Sequence, residues 1–172
     1  MRLCSDEGAI GVPGIVKIGI ALAVFGLLGY DTFFTIATHL KAEDVAQNAA
    51  YAGSQAWDAT SGSGDTHNAA TAYDGVIQYL LTNEPAKCRD ELTSDASQAV
   101  PATIPAGCDY VCTGAKTQAP ICGSHGTFMV DSDGMVHLVI RREAETLVFK
   151  HLGFMHSMLT AYEHGDASTD QS

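Results

Sequence analysis

The polar and apolar positions divide the chain into an apolar N-terminal part and a mixed C-terminal part. From residue 12 to residue 37 the sequence reads VPGIVKIGIALAVFGLLGYDTFFTIA, in which only Lys17 and Asp31 are charged. A helix needs about 20 apolar residues to cross the hydrocarbon core of a membrane, and this run is long enough. Residues 18–30 have no polar face, which argues against a core helix of a soluble domain. The pattern therefore predicts a transmembrane helix over residues 12–40.

A cleaved signal peptide is the alternative interpretation of the same run. Residues 1–11 are only weakly charged, the apolar run is too long, and no small-residue cleavage motif closes it before His39 and Lys41. We therefore expect a retained anchor, preceded by a short cytoplasmic leader. Lys17 lies near the inner end of the helix, where a lysine extends its ammonium group to the interface.

Asp31 has two interpretations. Acidic residues inside a membrane are costly and usually functional, so Asp31 is a candidate for pairing with a partner helix. In the other interpretation the hydrocarbon span ends near Tyr30, and Asp31 lies at the outer interface beside an aromatic belt of Tyr30, Phe33 and Phe34. We favour the interface position.

Helical periodicity continues beyond the membrane, in residues 41–83. Val45, Ala49, Ala52 and Ala56 recur at helical spacing, which predicts that the membrane helix continues outward until SGSGD at residues 61–65. Asp65 is the expected N-cap of a second helix that ends near Asn83 and Pro85. The apolar stripe of this second helix comprises Ala69, Ala72, Tyr73, Val76, Ile77 and Leu80.

A loop and a hairpin follow. Residues 84–124 contain four of the five prolines and four of the five cysteines and show no sustained periodicity, which predicts a stapled loop or a short irregular subdomain. In residues 125–165 the period changes to two, because GTFMV and MVHLVIRR flank a turn at residues 131–134. Asp133-Gly134 favours positive φ at both turn positions and predicts a β-hairpin.

The predicted elements after the hairpin complete an α+β fold with a small antiparallel sheet. A short covering helix is expected to end at Gly153, and FMHSMLTAY at residues 154–162 reads as a third strand. Residues 166–172 are expected to form a flexible tail. The apolar face of the short helix comprises Ala144, Leu147, Val148 and Leu152.

The cysteines place the C-terminal part in an oxidising compartment. Cys88, Cys108, Cys112 and Cys122 form an even set beyond the membrane helix, whereas Cys4 lies in the leader. Four cysteines allow three pairings, and the sequential one is Cys88–Cys108 with Cys112–Cys122. A bridge that closes about 20 residues contributes roughly 3 kcal/mol.

Metal sites and a histidine pair are the competing interpretations of these residues. Cys122 and His125, together with Cys108 and Cys112, have ligand types that bind zinc, but the spacing matches no Cys/His knuckle and the compartment favours disulfides. His137 could pair across the sheet with His156 as a pH-sensitive contact. Asp131, Ser132, Asp133 and Gly134 start like a calcium loop but lack its later acidic ligands, so we interpret them as a turn.

Charge and motif content exclude further function classes. The 172 residues carry 20 acidic and 9 basic residues, a net charge of -11, and suit one modest domain. Nucleic-acid binding needs clustered basic residues, which this chain lacks. No P-loop, nucleophile elbow, zinc-protease motif or CxxC motif occurs, so we expect neither catalysis nor a cofactor.

Both ends of the chain resemble pilin-like proteins. The start, DEGAIGVPGIVKIGIALAVFGLLGYD, looks like a pilin leader, glycine and apolar helix. HLKAEDVAQNAAYAGSQA looks like the Ala-rich outward helix of TadE/TadG-type pseudopilins of tight-adherence (Tad, Flp-type) pili. The end, VHLVIRREAETLVFKHLGFMHSMLTAYEHGDAS, is similar to that family's closing strand, short helix and last strand.

This resemblance implies a minor pilin-like subunit in a bacterial cell membrane, with its N-terminus inside and its head outside. It implies contacts of the helix with other pilin-like subunits, with assembly-platform proteins and with lipid, in a homo- or hetero-oligomer. Gly8 matches the glycine after which a prepilin peptidase cleaves. Five positions later, where pilins usually carry a glutamate, this chain has Pro13, a residue well suited to a first helical turn. The alternative is a single-pass anchored binding module that presents its acidic head to a ligand and enters no filament.

Overall fold

The computed structural model describes residues 12–61, 68–89, 106–112, 122, 125–126 and 128–169. Its elements confirm the predicted α+β class, with a long apolar helix, a second helix, a small antiparallel sheet and two disulfides. The helices are α1 (Val12–Ser61), α2 (Ala69–Asn83) and α3 (Ala86–Arg89). The strands are β1 (Asp109–Val111), β2 (Met129–Val130), β3 (Val136–Glu143) and β4 (Thr160–Ala167), with 3-10 segments at Phe149–His151 and Gly153–Met158.

Helix α1 is one continuous element of 50 residues, which corresponds to about 75 Å of helix. Its N-terminal part is exposed, and the apolar stretch is long enough to cross a membrane. Its C-terminal part packs against α2 and the sheet through a stripe of small residues, and the helix ends at Ser61 as predicted. The buried stripe comprises Ala42, Val45, Ala46, Ala49 and Ala50.

Helix α2 lies against α1 and buries the predicted stripe except Ala69, which is exposed. The predicted N-cap at Asp65 lies outside the described residues, and the N-cap is instead Asn68, whose side-chain oxygen accepts the N–H of Ala70 at 2.9 Å. The two helices approach closely at Gly75, where an added Cβ would lie 2.6 Å from the Cβ of Ala56. A glycine is therefore required at this crossing.

Strand β3 is the centre of the sheet. Strand β4 pairs antiparallel with its whole length, from Glu143↔Thr160 to Val136↔Ala167. Strands β2 and β1 share the other edge of β3, at residues 136–137 and 140–142 respectively. One face of the sheet packs on α1 and α2 through Val136, Leu138 and Ile140.

The hairpin is present, but its turn differs from the prediction. Gly134 has φ +77°, whereas Asp133 does not adopt positive φ. The Gly134 N–H donates to the Asp131 carbonyl at 3.0 Å, and the Asp131 N–H donates to the Met135 carbonyl at 2.9 Å. This is a turn followed by one left-handed glycine, so the prediction of positive φ at both positions was wrong.

The predicted short helix and third strand were wrong in their bounds. Residues 144–148 are not helical, and Phe149–His151 forms one 3-10 turn, because the N–H groups of residues 147–149 donate to Asp31 rather than to helical carbonyls. The sheet is therefore covered by α1 and α2, not by a short helix. Residues 154–158 are not a strand, because β3 ends where Glu143 pairs with Thr160 and offers no edge before that position.

The loop and the tail also contain structure that the pattern did not predict. Strand β1 lies inside the predicted loop of residues 84–124, and α3 precedes it. Strand β4 continues past the predicted boundary at residue 165, because Asp166 and Ala167 pair with β3. The hydroxyl of Thr169 is hydrogen-bonded to the carboxylate of Asp58, so the described part of the tail contacts α1.

Candidate functional site at the junction of helix and head

Asp31 joins the apolar helix to the head. Its side chain is 0% exposed. One carboxylate oxygen accepts the backbone N–H of Leu147 at 2.8 Å, and the other accepts those of Val148 and Phe149, each at 2.7 Å. A carboxylate that accepts three N–H groups is a strong, charge-assisted clamp. It holds the start of the 3-10 segment against α1.

The clamp changes the interpretation of Asp31. Both carboxylate oxygens already have partners within the chain, so the hypothesis that Asp31 pairs with a partner helix loses its basis. The three aromatic side chains of the predicted belt lie beside Asp31 on α1. The ring centroids of Tyr30 and Phe34 are 4.3 Å apart, and Phe33 meets Phe34 edge-on at a centroid distance of 5.8 Å. The position of this level at a membrane interface stays a prediction.

Lys17 is not brought to this junction. Lys17 is exposed on α1, about 21 Å of helix rise from Asp31. The candidate cleavage residue Gly8 and the leader cysteine Cys4 lie outside the described residues. Within the described chain the two predicted polar residues of the membrane helix are therefore separate features.

A second contact between α1 and the head lies two helical turns further along. Nδ1 of His39 is 2.8 Å from a carboxylate oxygen of Glu163 on β4. Glu163 pairs with Ile140 in the sheet and therefore faces α1. His39 and Asp31 together attach two successive levels of the helix to the head.

Two carboxylates and one guanidinium form a buried cluster on the face of the sheet that packs against α1 and α2. Nη1 of Arg142 lies 2.6 Å from Oδ2 of Asp109, its partner across the strands, and 3.7 Å from Oε1 of Glu84 at the end of α2. Oδ1 of Asp109 and Oε2 of Glu84 are buried without a hydrogen-bond partner. One guanidinium cannot neutralise two carboxylates, so a proton held by Glu84 would remove the excess charge.

The protonation of Glu84 follows from this arrangement. Burial raises the pKa of Glu84, and the neighbouring Asp109 raises it further, to about 7, although Arg142 and Lys41 oppose the shift. A neutral Glu84 carboxyl can donate a hydrogen bond to the side chain of Asp109, whose other neighbour is the guanidinium of Arg142. The cluster therefore changes its proton content near neutral pH.

A cleft adjoins this cluster, with a volume of about 170 Å³. It lies between α1, at Phe34, Thr38 and Lys41, and the loops at Gly107 and Glu145. The ammonium group of Lys87 pairs with Glu145 across one side of it. Apolar and charged side chains both line this cleft, at the level where the helix enters the head.

The structure contains the sequential disulfide pairing. Cys88–Cys108 joins α3 to the residue before β1, and Cys112–Cys122 covers the outer face of the sheet at Val139. Cysteines in disulfides are not thiolate ligands, so these four do not form the zinc site considered from the sequence. The ring of His125 stacks on Tyr162 at 3.9 Å, and in the described part of the chain no three metal-ligating side chains come together.

His137 lies between two carboxylates on the outer face of the sheet. Its Nδ1 is 2.6 Å from Asp166 and its Nε2 is 3.1 Å from Asp131. Both ring nitrogens can donate only in the imidazolium form, and the hydrogen bonds that they donate to Asp166 and to Asp131 raise the pKa of His137. The predicted pairing of His137 with His156 was wrong. His156 lies in a 3-10 segment, and the residue opposite His137 on β4 is Asp166.

Sequence reasoning missed Glu84, Asp109 and Arg142, although one signal was present. Arg142 has the same strand parity as Val136, Leu138 and Ile140, which places its side chain on the buried face. A charged residue at a buried position requires a partner of opposite charge. The pattern therefore indicates that Arg142 needs an acidic partner, but it does not indicate which acidic residue that is.

Comparisons of the chain with protein-family models, with curated proteins and with solved structures give no match.

Proposed function

We propose that the protein is a membrane-anchored minor pilin-like subunit that takes part in the assembly or structure of a Tad/Flp-type pilus. One observation carries the proposal: a single continuous helix has an exposed apolar N-terminal part and a C-terminal part that packs on a small disulfide-bonded head. In this proposal the N-terminus is cytoplasmic and the head is extracytoplasmic. The protein has no catalytic role and needs no cofactor.

The exposed part of α1 supports membrane insertion. In the most apolar 18-residue stretch of α1 only 6% of the residues are buried. Large side chains such as Phe25 and Leu22 are 72% and 67% exposed. Such a surface is stable only when lipid or neighbouring helices cover it. A lipid bilayer covers it in the isolated subunit, and sister subunits cover part of it in an assembly.

Three glycines on this surface support packing against a neighbour. Added Cβ atoms at Gly19, Gly26 and Gly29 would meet no heavy atom within 4 Å, so the packing of this subunit does not require them. In membrane helices, glycines allow a second helix to approach closely. The proposed partners at this surface are other pilin-like subunits and platform proteins.

A single-pass binding module is the second candidate function. The chain carries a net charge of -11, and a cleft lined by both apolar and charged side chains adjoins the Glu84–Asp109–Arg142 cluster. A head that presents this cleft to a ligand or partner protein would need α1 only as a tether. In that case the protein would remain outside any filament.

Intact mass of the protein, purified from its native membrane and from sheared surface material, tests the proposal. We expect a chain that begins after Gly8 and takes up four alkyl groups only after reduction. We also expect part of it in filaments removed by shear. A full-length monomer that is confined to the membrane would contradict the pilin-like assignment and leave the binding module.

A truncation, together with the oligomeric state of the full-length protein, separates the two candidates further. The cut should fall before Asp31, for example after residue 29, because a cut after residue 40 removes both the clamp and His39 from the head. A binding module predicts a monomeric soluble head. A pilin-like subunit predicts that the full-length protein oligomerises in detergent and that the Gly26→Leu variant oligomerises less.

A further inference from the structure

We propose that residues 147–158, the 147–158 segment, form a second membrane contact that lies in the outer headgroup layer beside α1. The segment contains both 3-10 turns and is fixed to the helix by Asp31. The inference rests on the anchoring part of the proposed function and is independent of any filament.

Exposed apolar side chains project from this segment. Phe154 is 79% exposed, Met158 is 58% exposed and Leu147 is 52% exposed. They belong to the head, where the sheet buries its own apolar face against α1 and α2. Three large apolar side chains that remain exposed in so short a stretch indicate a surface that contacts lipid or another protein.

The clamp sets the height of the segment along α1. From Val12 to Tyr30 the helix has 19 residues, or about 28 Å of rise, which matches the roughly 30 Å of a hydrocarbon core. Asp31 is the next residue, and its carboxylate holds the backbone of residues 147–149. The start of the segment is thus at the level where the hydrocarbon span is proposed to end.

The charge of the segment fits a lipid headgroup layer. The protein has 20 acidic residues, yet the segment, LVFKHLGFMHSM, contains none and includes Lys150 and His151, both exposed. The nearby Asp31 is buried, and Glu145 is paired with Lys87. Basic groups beside exposed Phe and Leu are typical of segments that bind anionic headgroups and insert apolar side chains beneath them.

Continuity with the apolar part of α1 favours lipid over a protein partner. Tyr30 and Phe33 are exposed on the helix beside the clamp, at the level where aromatic side chains concentrate in membranes. The bilayer that surrounds residues 12–30 would therefore already be in contact with this level. A neighbouring subunit would need a separate complementary surface.

Tryptophan fluorescence of the full chain in vesicles tests this placement. The variants carry Trp57→Phe and then one new tryptophan: Phe154→Trp in the segment, Phe25→Trp in the helix, or Tyr51→Trp about 30 Å of helix beyond Asp31. The vesicles contain phosphatidylcholine and phosphatidylglycerol at 3:1, with bromine atoms at defined acyl positions. Quenching by bromine and by aqueous acrylamide is measured for each variant.

We expect strong bromine quenching at position 154 by the shallow label, deep quenching at position 25, and none at position 51. Position 51 should be open to acrylamide. Quenching at position 25 but not at 154 would overturn the inference and leave anchoring intact. No quenching at either position would overturn the anchoring itself. Protection of position 154 from acrylamide without bromine quenching would assign the surface to a protein partner and also overturn the inference.

Trp57 contacts the turn near Gly134, so its replacement could disturb the fold. A measurement on the unchanged chain avoids this difficulty. Vesicles with a photoreactive diazirine in the lipid headgroup region should label peptides from residues 147–158, while peptides from residues 44–58 serve as the control. Equal labelling of the two regions would contradict the inference.

Discussion

Asp31 and Val148 are 117 residues apart in the chain, yet a carboxylate oxygen of Asp31 accepts the backbone N–H of Val148 at 2.7 Å. The bond connects the end of the apolar run to the last third of the sequence. It fixes the backbone of residues 147–149 in the head against α1. The covalent connection between α1 and these residues would not by itself prevent the head from tilting relative to the helix. The orientation of the head relative to α1 is therefore built into the protein.

Replacement of Asp31 tests this clamp. Asp31→Asn replaces one acceptor oxygen with a donor, so at least one of the three N–H groups loses its partner inside a buried site. We expect a loss of about 2 to 3 kcal/mol in local stability. Faster amide exchange at residues 147–149 in detergent micelles measures it. Asp44→Asn, at an exposed position of the same helix, is the matched control, and equal exchange in both variants would show that the clamp carries no energy.

Glu84 makes stability depend on pH. Its pKa is raised from 4.5 to about 7 in the folded protein. Between these values the folded state binds more protons than the unfolded state, so stability falls as pH rises, by an amount on the order of 2 to 3 kcal/mol. Glu84→Gln should remove this slope and exceed the wild type in stability at pH 8.

Urea midpoints at pH 5, 6, 7 and 8 measure the effect of Glu84. Other groups titrate in the same range, so the difference between variant and wild type is the relevant quantity. Glu43→Gln, at an exposed position of α1, should leave the slope unchanged. Parallel curves for the wild type and Glu84→Gln would contradict the buried proton.

His137 is a second pH-dependent contact, on the outer face of the sheet. Because its pKa is raised, its contribution to stability is present below the unfolded value of 6.5 and is lost as pH rises through the folded value. Asp166→Asn should lower the pKa of His137, since it removes the hydrogen bond at Nδ1. An NMR titration of the imidazole resonances measures the shift, and the same His137 pKa in the wild type and in Asp166→Asn would contradict this contact.

Gly165 allows the closest approach between α1 and the sheet. A Cβ at this position would lie 2.1 Å from the carbonyl oxygen of Ala46, so backbone must move in Gly165→Ala. We expect a loss of about 3 kcal/mol, seen as a lower urea midpoint. Gly153→Ala is the control, because its added Cβ meets no atom within 4 Å. Similar midpoints for the two variants would mean that the helix and sheet are not in this contact.

Several elements followed from local pattern. The apolar run predicted α1, and the serine–glycine stretch predicted its end at Ser61. The stripe from Ala69 to Leu80 predicted the buried face of α2, except that Ala69 is exposed. These predictions succeeded because hydrophobic period and helix breakers act within a few residues. The predictions for residues 144–162 were wrong because distant contacts override the local pattern. There the helical and strand patterns compete with contacts made by Asp31 and β3.

By itself, the sequence determined a membrane-length helix, its continuation beyond the apolar run, an α+β head and an even set of cysteines beyond the helix. Hydrophobic burial, helix propensity and turn chemistry encode these features locally. Only the tertiary structure decided that Asp31 holds residues 147–149, that Glu84 shares a buried site with Asp109 and Arg142, and that β1 and β2 divide one edge of β3. A buried polar group requires a partner, but its own neighbours in sequence do not reveal which distant group the fold will place beside it.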